Sequence, residues 1–317
     1  MPGQQLGNTA LTFSPVGFGA SSLGNAFGAI DPIEGAAAVR HAIDRGMNYF
    51  DVSPYYGLTL AETRLGEALE GRRSEVLLST KCGRYGAAEF DFSASRITAG
   101  LEDSLRRLRT DHVDLLLAHD VEFGDLQQIV DETIPAMRRM QAAGKTRYVG
   151  ISGYPLGALE WVMERAPLDA VLTYCHANPL INDLRAGLLS TADRLGVGVI
   201  NASPLHMGIL GGQPVPDWHP ADSEVRAIGP VFAATCRQFG ADPGAIALAI
   251  SLECPGLAST LCGMDTRAQV DANLAAAGML IPTELRSAIE ALLAPVRNRT
   301  WASGREENSR LGAHHGV

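Results

Sequence analysis

Eight short runs rich in apolar and β-branched residues recur along the chain: Val16–Ala20, Met47–Asp51, Glu75–Lys81, Val113–His119, Arg147–Ser152, Asp169–Cys175, Gly198–Ser203 and Leu257–Cys262. Each has the length and makeup of a buried strand. Helical periodicity fills the stretches 32–45, 60–70, 94–109, 125–143, 156–165, 183–195, 223–239 and 266–276. In "SRITAGLEDSLRRLRTD", for example, Ile97, Leu101, Leu105 and Leu108 fall on one helical face. The first helix is signalled at both ends: Asp31 as cap, Pro32 at the first position, Glu34 completing a reciprocal cap, and Gly46 as the stop. Strands alternating with helices eight times predict an α/β fold of the (β/α)8 type, a TIM barrel, as one domain over residues 1–317. "LGNTALTFS" reads as a hairpin with its turn at Gly7–Asn8, placed to plug the barrel floor. From Pro282 onward the pattern gives one helix and an irregular tail, and residues 205–222 form a long insertion after the seventh strand.

A doubly wound sheet is the rival architecture. It commonly carries GxGxxG after its first strand. Here Gly17 and Gly19 are followed by Ser22 where the third glycine belongs, so the match is partial.

Composition narrows the function. With 46% hydrophobic residues in 317, there is ample material for a large core. A net charge of −9 without any Lys/Arg block speaks against nucleic acid and anionic membrane as partners. No apolar run is long enough to span a bilayer. "MPGQQLGNTALTF" has neither a basic nor an apolar leader region, which predicts a cytoplasmic protein. Five cysteines without a CxxC pair predict reduced, buried thiols, and no His/Cys/Asp/Glu set has metal spacing.

The strand ends carry the chemistry. The second run ends in Asp51, the third in Lys81, the fourth in His119 and the fifth in Ser152. In such a barrel these ends meet at one mouth, and adjacent strands lie about 4.8 Å apart. Asp51, costly to bury alone, therefore finds Lys81. "FDVSPYYG" adds two tyrosines beside them, Tyr55 and Tyr56. A phenol titrates near 10, too high for facile proton exchange at neutral pH, and a neighbouring ammonium is expected to lower it. His119 would face the substrate oxygen as donor or relay. Spacing alone does not choose between the tyrosines.

"FDVSPYYG" with Lys81 and His119 resembles the aldo-keto reductases, whose pattern is Asp, four residues, then Tyr-Gly, with Lys and His on the next two strands. That resemblance selects Tyr56 as the proton donor/acceptor. "TKCGRYG", "HDVEFG", "YCHANP", "ASPLHMGIL", "PDWHPA" and "NRTWASG" make the chain similar to the branch of aldose dehydrogenases acting on L-galactose, L-fucose (D-threo-aldose) or D-arabinose types. It implies oxidation of the anomeric hydroxyl to a lactone, with a small-molecule sugar as partner, and leaves the oligomeric state open.

The resemblance also implies an extended nicotinamide dinucleotide across the mouth. Gly19 and Ala20 would line it. Ser152 would hold the carboxamide, with Gly153 where the family has asparagine. Tyr174 stands in place of the usual glutamine and would partly substitute for it, and Ala202 stands in place of an aromatic stacker. Ser203, Leu205 and Gly208 would meet the pyrophosphate, and Gly263, Asp265, Gln269 and Asn273 the adenosine end. The carboxylate of Asp265 repels a 2′-phosphate, which predicts NAD; Arg267 two residues on leaves NADP possible. Candidate sugar contacts are Tyr55, Asp120, Phe123, Trp218, His219 and Trp301. Competing readings are a dehydrogenase or reductase of another carbonyl such as pyridoxal, a lyase using Lys81 as nucleophile, and a non-catalytic nucleotide-sensing barrel.

Overall fold

The computed structural model of the chain describes residues 3–311. A two-stranded antiparallel hairpin, β1 (Gln4–Gln5) and β2 (Thr12–Phe13), precedes eight parallel strands: β3 (Val16–Gly19), β4 (Tyr49–Asp51), β5 (Leu77–Cys82), β6 (Val113–Ala118), β7 (Thr146–Gly153), β8 (Ala170–Tyr174), β9 (Gly198–Ala202) and β10 (Leu257–Gly263). These eight close in sequence order, β10 pairing with β3, to form the expected barrel. Strands covered by helices outside and by each other's side chains inside are apolar on both faces, which is why they read as continuous runs.

The hairpin plugs the floor. Leu6, Leu11 and Phe13 are buried against Tyr49, Leu115, Leu172 and Ile200 inside the barrel, and the rings of Phe13 and Tyr49 stack at 3.9 Å. The Asn8 amide donates to the Gly196 carbonyl at 2.9 Å. Gly7 has φ of +48°, and a Cβ there would come within 2.4 Å of the Gly198 nitrogen, so only glycine fits.

The helical layer departs from expectation in four places. Helix Pro243–Leu252, capped by Asp242, has no counterpart in the periodicity: "PGAIALAISL" is apolar almost all round and shows no polar face. The 125–143 segment is interrupted by a π turn at Ile129–Thr133, because Pro135 has no N–H to return to the preceding turn and its ring crowds the carbonyl there. The helix expected from 183 starts at Leu188, after a separate 3-10 turn at Leu184–Ala186. Asp31 does cap the first helix through the Ile33 N–H, but Glu34 does not complete a reciprocal cap; it accepts instead from the Arg267 backbone and guanidinium.

After helix Thr283–Leu293 the tail runs back across the mouth. The Arg305 N–H and the Asn308 amide both donate to the Glu122 carbonyl, at 2.9 and 2.8 Å. All five cysteines are buried and free. His314 and His315 lie outside the described residues.

Candidate active site

Strand register builds the centre. Asp51 on β4 lies opposite Ser79 on β5, and Lys81 is two residues further along the same inward face. The Ser79 hydroxyl donates to one Asp51 oxygen at 2.6 Å, and Lys81 Nζ donates to the other at 2.5 Å. The ammonium also donates to the Val52 carbonyl at 3.0 Å and the Tyr56 hydroxyl at 3.1 Å, so its three protons have three acceptors. Burial alone would lower the Lys81 pKa, but the attraction of Asp51 and Tyr56 outweighs it and the net shift is upward. Lys81 is a charged anchor, which removes the basis for a nucleophilic lysine.

The Tyr56 pKa does not fall as the sequence suggested. Burial of the phenol raises it; Lys81 pulls it down, Asp51 pushes it up again, and the net direction is upward. The phenol is therefore protonated at neutral pH, its oxygen accepting from Lys81.

His119 follows β6, its backbone N–H donating to the Cys82 carbonyl at 2.8 Å. Its ring is perpendicular to Tyr56, centroids 5.8 Å apart, and its Nδ1 lies 3.0 Å from the Ser53 hydroxyl. Burial, then the Lys81 and Arg84 cations, hold the imidazole well below its usual pKa, so the ring is neutral.

A second charged pair flanks this centre. Arg84, on the loop after β5, binds the buried Asp120 carboxylate, which lies 3.7 Å from His119 Nε2. The guanidinium covers the Tyr55 ring at 3.8 Å and faces the stacked rings of Phe90 and Phe123. Arg84 and Ser53 were not singled out from the sequence. The available signal was weak: an arginine three residues past Lys81, and a serine two past Asp51. Burial raises the Asp120 pKa, and Arg84 counters it.

Around the mouth lie the residues expected to hold a dinucleotide. Ser152 is buried at the end of β7 and its hydroxyl approaches the Ala118 carbonyl at 3.5 Å. Tyr174 ends β8 opposite Ala202, tilted on Tyr154 at 5.3 Å; burial, then Asp120 and Glu122, push its phenol well above the ordinary value. Gly153 is crowded on its outer side: a Cβ there would come within 2.4 Å of a Glu122 oxygen. Asparagine at 153 would thus require Glu122 to move.

The turn after β9 has an unusual backbone. Ser203, His206 and Met207 have φ of 56°, 50° and 48°, and Gly208 has 108°. Side-chain-bearing residues held this way cluster at ligand clamps. Leu205 is half-buried at its centre. Gly19 and Ala20 end β3, with Gly19 between Asp51 and Gly263 in register. A cleft of about 270 Å³ opens between loop 27–31 and Asp265–Thr266. Behind it, Thr266 caps helix Arg267–Ala276, and Gln269 closes that cap, its oxygen accepting from the Asp265 and Thr266 amides. Asn273 reaches the Cys262 thiol. This set fits an extended dinucleotide: a left-handed turn for a diphosphate, an open cleft at one end, and the Tyr56 hydroxyl at the other.

Three candidate sugar contacts belong to the insertion and the tail. His219 is buried and tethers the insertion: its Nδ1 accepts from the Ala221 N–H and its Nε2 donates to the His206 carbonyl at 3.0 Å. Trp301 stacks on Tyr154 at 4.2 Å, edge-on to His206 and His219. Trp218 is 55% exposed and leans on Phe27 across the cleft entrance. Tyr55, Asp120 and Phe123, in contrast, converge with Arg84 beside His119.

Comparison with known proteins agrees with this fold. The model of the Aldo/keto reductase family matches residues 15–294. L-galactose dehydrogenase of Arabidopsis thaliana is 45% identical over 314 residues, covering 96% of this chain and 98% of the relative. D-threo-aldose 1-dehydrogenase of a Pseudomonas species is 29% identical, covering 90% and 96%. An aldo-keto reductase from Bacillus halodurans, solved in its holo form, superposes with a TM-score of 0.76 at 26% identity, over 98% of this chain and 99% of its own.

Proposed function

Because this chain belongs to the aldo/keto reductase family, whose members use nicotinamide cofactors, we propose that it oxidises an aldose at the anomeric hydroxyl to the lactone, with NAD as acceptor. The observation that carries the reading is the Tyr56 hydroxyl held at 3.1 Å by a lysine whose other protons are fixed on Asp51 and Val52. When bound, the cofactor takes up the two electrons and hydrogen that leave the anomeric carbon.

The protein's own part is proton handling and positioning. Tyr56 first gives its own proton to solvent through the mouth, and the phenolate then takes the proton of the anomeric hydroxyl. Lys81 stabilises that phenolate, and Asp51 keeps Lys81 charged. His119, neutral, orients the same oxygen. Arg84 and Asp120, one step further from the reacting oxygen, offer a donor and an acceptor to the neighbouring sugar hydroxyls, while Tyr55 and Phe123 supply apolar walls.

Two features support NAD over NADP. Asp265 lines the cleft at the adenosine end, where a carboxylate repels a phosphate. Arg267, the cation that would welcome one, is held by the Glu34 carboxylate through two guanidinium nitrogens, at 3.2 and 3.0 Å. Ser152 and Tyr174 are our candidates for the carboxamide.

Initial rates with NAD and with NADP over L-galactose, L-fucose and D-arabinose, run beside NADPH with pyridoxal and simple aldehydes, test the reading. NAD-linked oxidation of one or more of these aldoses is expected. Turnover confined to the aldehydes would replace the aldose reading.

A further inference from the structure

We propose that Ser53 is a positioning residue: its hydroxyl donates to His119 Nδ1, keeps the ring proton on Nε2, and so aims that N–H at the substrate oxygen beside Tyr56. The inference rests on the reading of His119 as a partner of that oxygen.

Two observations point the same way. Ser53 is fully buried, and its Oγ has two polar neighbours: the Tyr55 N–H at 3.1 Å and His119 Nδ1 at 3.0 Å. The amide can only donate, so Oγ accepts from it. The one hydroxyl hydrogen is then satisfied by Nδ1 acting as acceptor. The opposite tautomer, with Nδ1–H donating to Oγ, leaves that hydrogen without an acceptor in a dry site. On the far side of the ring, an Asp120 oxygen lies 3.7 Å from Nε2. A carboxylate attracts an N–H and repels a bare nitrogen lone pair. Both ends of the imidazole therefore select the same proton position.

The surroundings keep the ring from escaping this choice by charging. Lys81 and Arg84 are the nearby cations, Asp120 the nearby anion, and the rings of Tyr55 and Tyr56 close the site at 6.0 and 5.8 Å. Ser53 also ties two segments of the site together. It lies two residues after Asp51, its oxygen fixes the turn that carries Tyr55 and Tyr56, and the same oxygen fixes a histidine from a different strand. The consequence is a division of labour: His119 only donates, and the proton has one route, through Tyr56.

The test reads the tautomer directly. Long-range proton–nitrogen correlation on histidine-labelled protein, with the His119 signals identified by their loss in His119→Asn, reports which nitrogen carries the proton. We expect Nε2–H in the unmodified protein. In Ser53→Ala a mixed or Nδ1–H pattern is expected, with kcat lower by roughly ten- to a hundredfold and NAD affinity, read by quenching of tryptophan fluorescence, unchanged. Ser53→Thr, which keeps the hydroxyl, should restore the spectrum. An Nδ1–H ring in the unmodified protein overturns the proposal even if Ser53→Ala does not fold. So does a Ser53→Ala protein with an unaltered spectrum and undiminished turnover. If no aldose is oxidised at all, the proposed function fails while the spectrum still decides the role of Ser53.

Discussion

Lys81 Nζ donates to the Tyr56 hydroxyl across 3.1 Å while its remaining protons are fixed on Asp51 and the Val52 carbonyl. The tyrosine oxygen thus accepts from behind, and its own hydrogen is left for the mouth. Removing only that oxygen should separate chemistry from binding. In Tyr56→Phe the ring keeps its perpendicular packing on His119, so NAD affinity should be retained while kcat falls about 10²- to 10⁴-fold, the usual worth of a general acid/base. Steady-state rates and a cofactor titration check both halves.

The same pair predicts a stability effect. Lys81 and Asp51 are both buried, and Lys81→Met leaves a carboxylate with only Ser79 as partner. Breaking a buried pair on one side costs about 3–5 kcal/mol. Adding Asp51→Asn should recover a large part of that loss. Urea unfolding of the two variants at pH 7 measures it; equal stability of single and double variants would contradict the coupling.

How much of this was readable in the sequence follows from range. The eight strands were legible because both faces of each are buried, and Asp51, Lys81 and His119 because strand ends converge in a closed barrel. Helix Pro243–Leu252 was missed because a helix without a polar face has no period to detect. Ser53 and Arg84 escaped notice, and Glu34 was assigned to its own helix cap, because their partners lie 66, 36 and 233 residues away. The direction of the Tyr56 shift was misjudged for a related reason. The lysine was visible in the sequence, but the burial that outweighs it belongs to the folded mouth.

Arg84→Met should act on the sugar and spare the cofactor. It removes the cation from Asp120 and a donor from the pocket beside His119, while a methionine still covers Tyr55. KM for the preferred aldose should rise about tenfold or more, a scale consistent with losing one charged hydrogen bond. The penalty should shrink for an analogue lacking the hydroxyl next to the reacting carbon. An unchanged KM would reduce the ion pair to structural support.

Cofactor choice should turn on residue 34, which lies 233 residues from its partner. Glu34→Ala frees the Arg267 guanidinium beside the cleft, and Asp265→Ser removes the repelling carboxylate. The combined variant should raise the NADP-to-NAD ratio of kcat/KM by about tenfold or more, since about 1.4 kcal/mol suffices for each factor of ten. The ratio should respond less to Asp265→Ser alone, because Arg267 stays occupied.

Glu122 makes the stability of the tail junction depend on pH. Burial, then the charge of Asp120, raises its carboxyl pKa to about 8, although the Tyr154 N–H and the Ser303 hydroxyl both donate to one of its oxygens. In the unfolded chain the group titrates near the ordinary value of 4.5. Between these values the folded protein holds a proton that the unfolded chain has released. Stability from this group is therefore complete below about pH 4.5 and is lost progressively as the pH rises to about 8. Glu122→Gln stays neutral throughout and keeps an acceptor for Tyr154 and Ser303. Urea midpoints at pH 5, 7 and 9 should decline more steeply for the unmodified protein than for Glu122→Gln, with the variant the more stable at pH 9. Parallel midpoints for the two proteins would mean that Glu122 is ionised in the fold and that its charge is met by a donor from the tail.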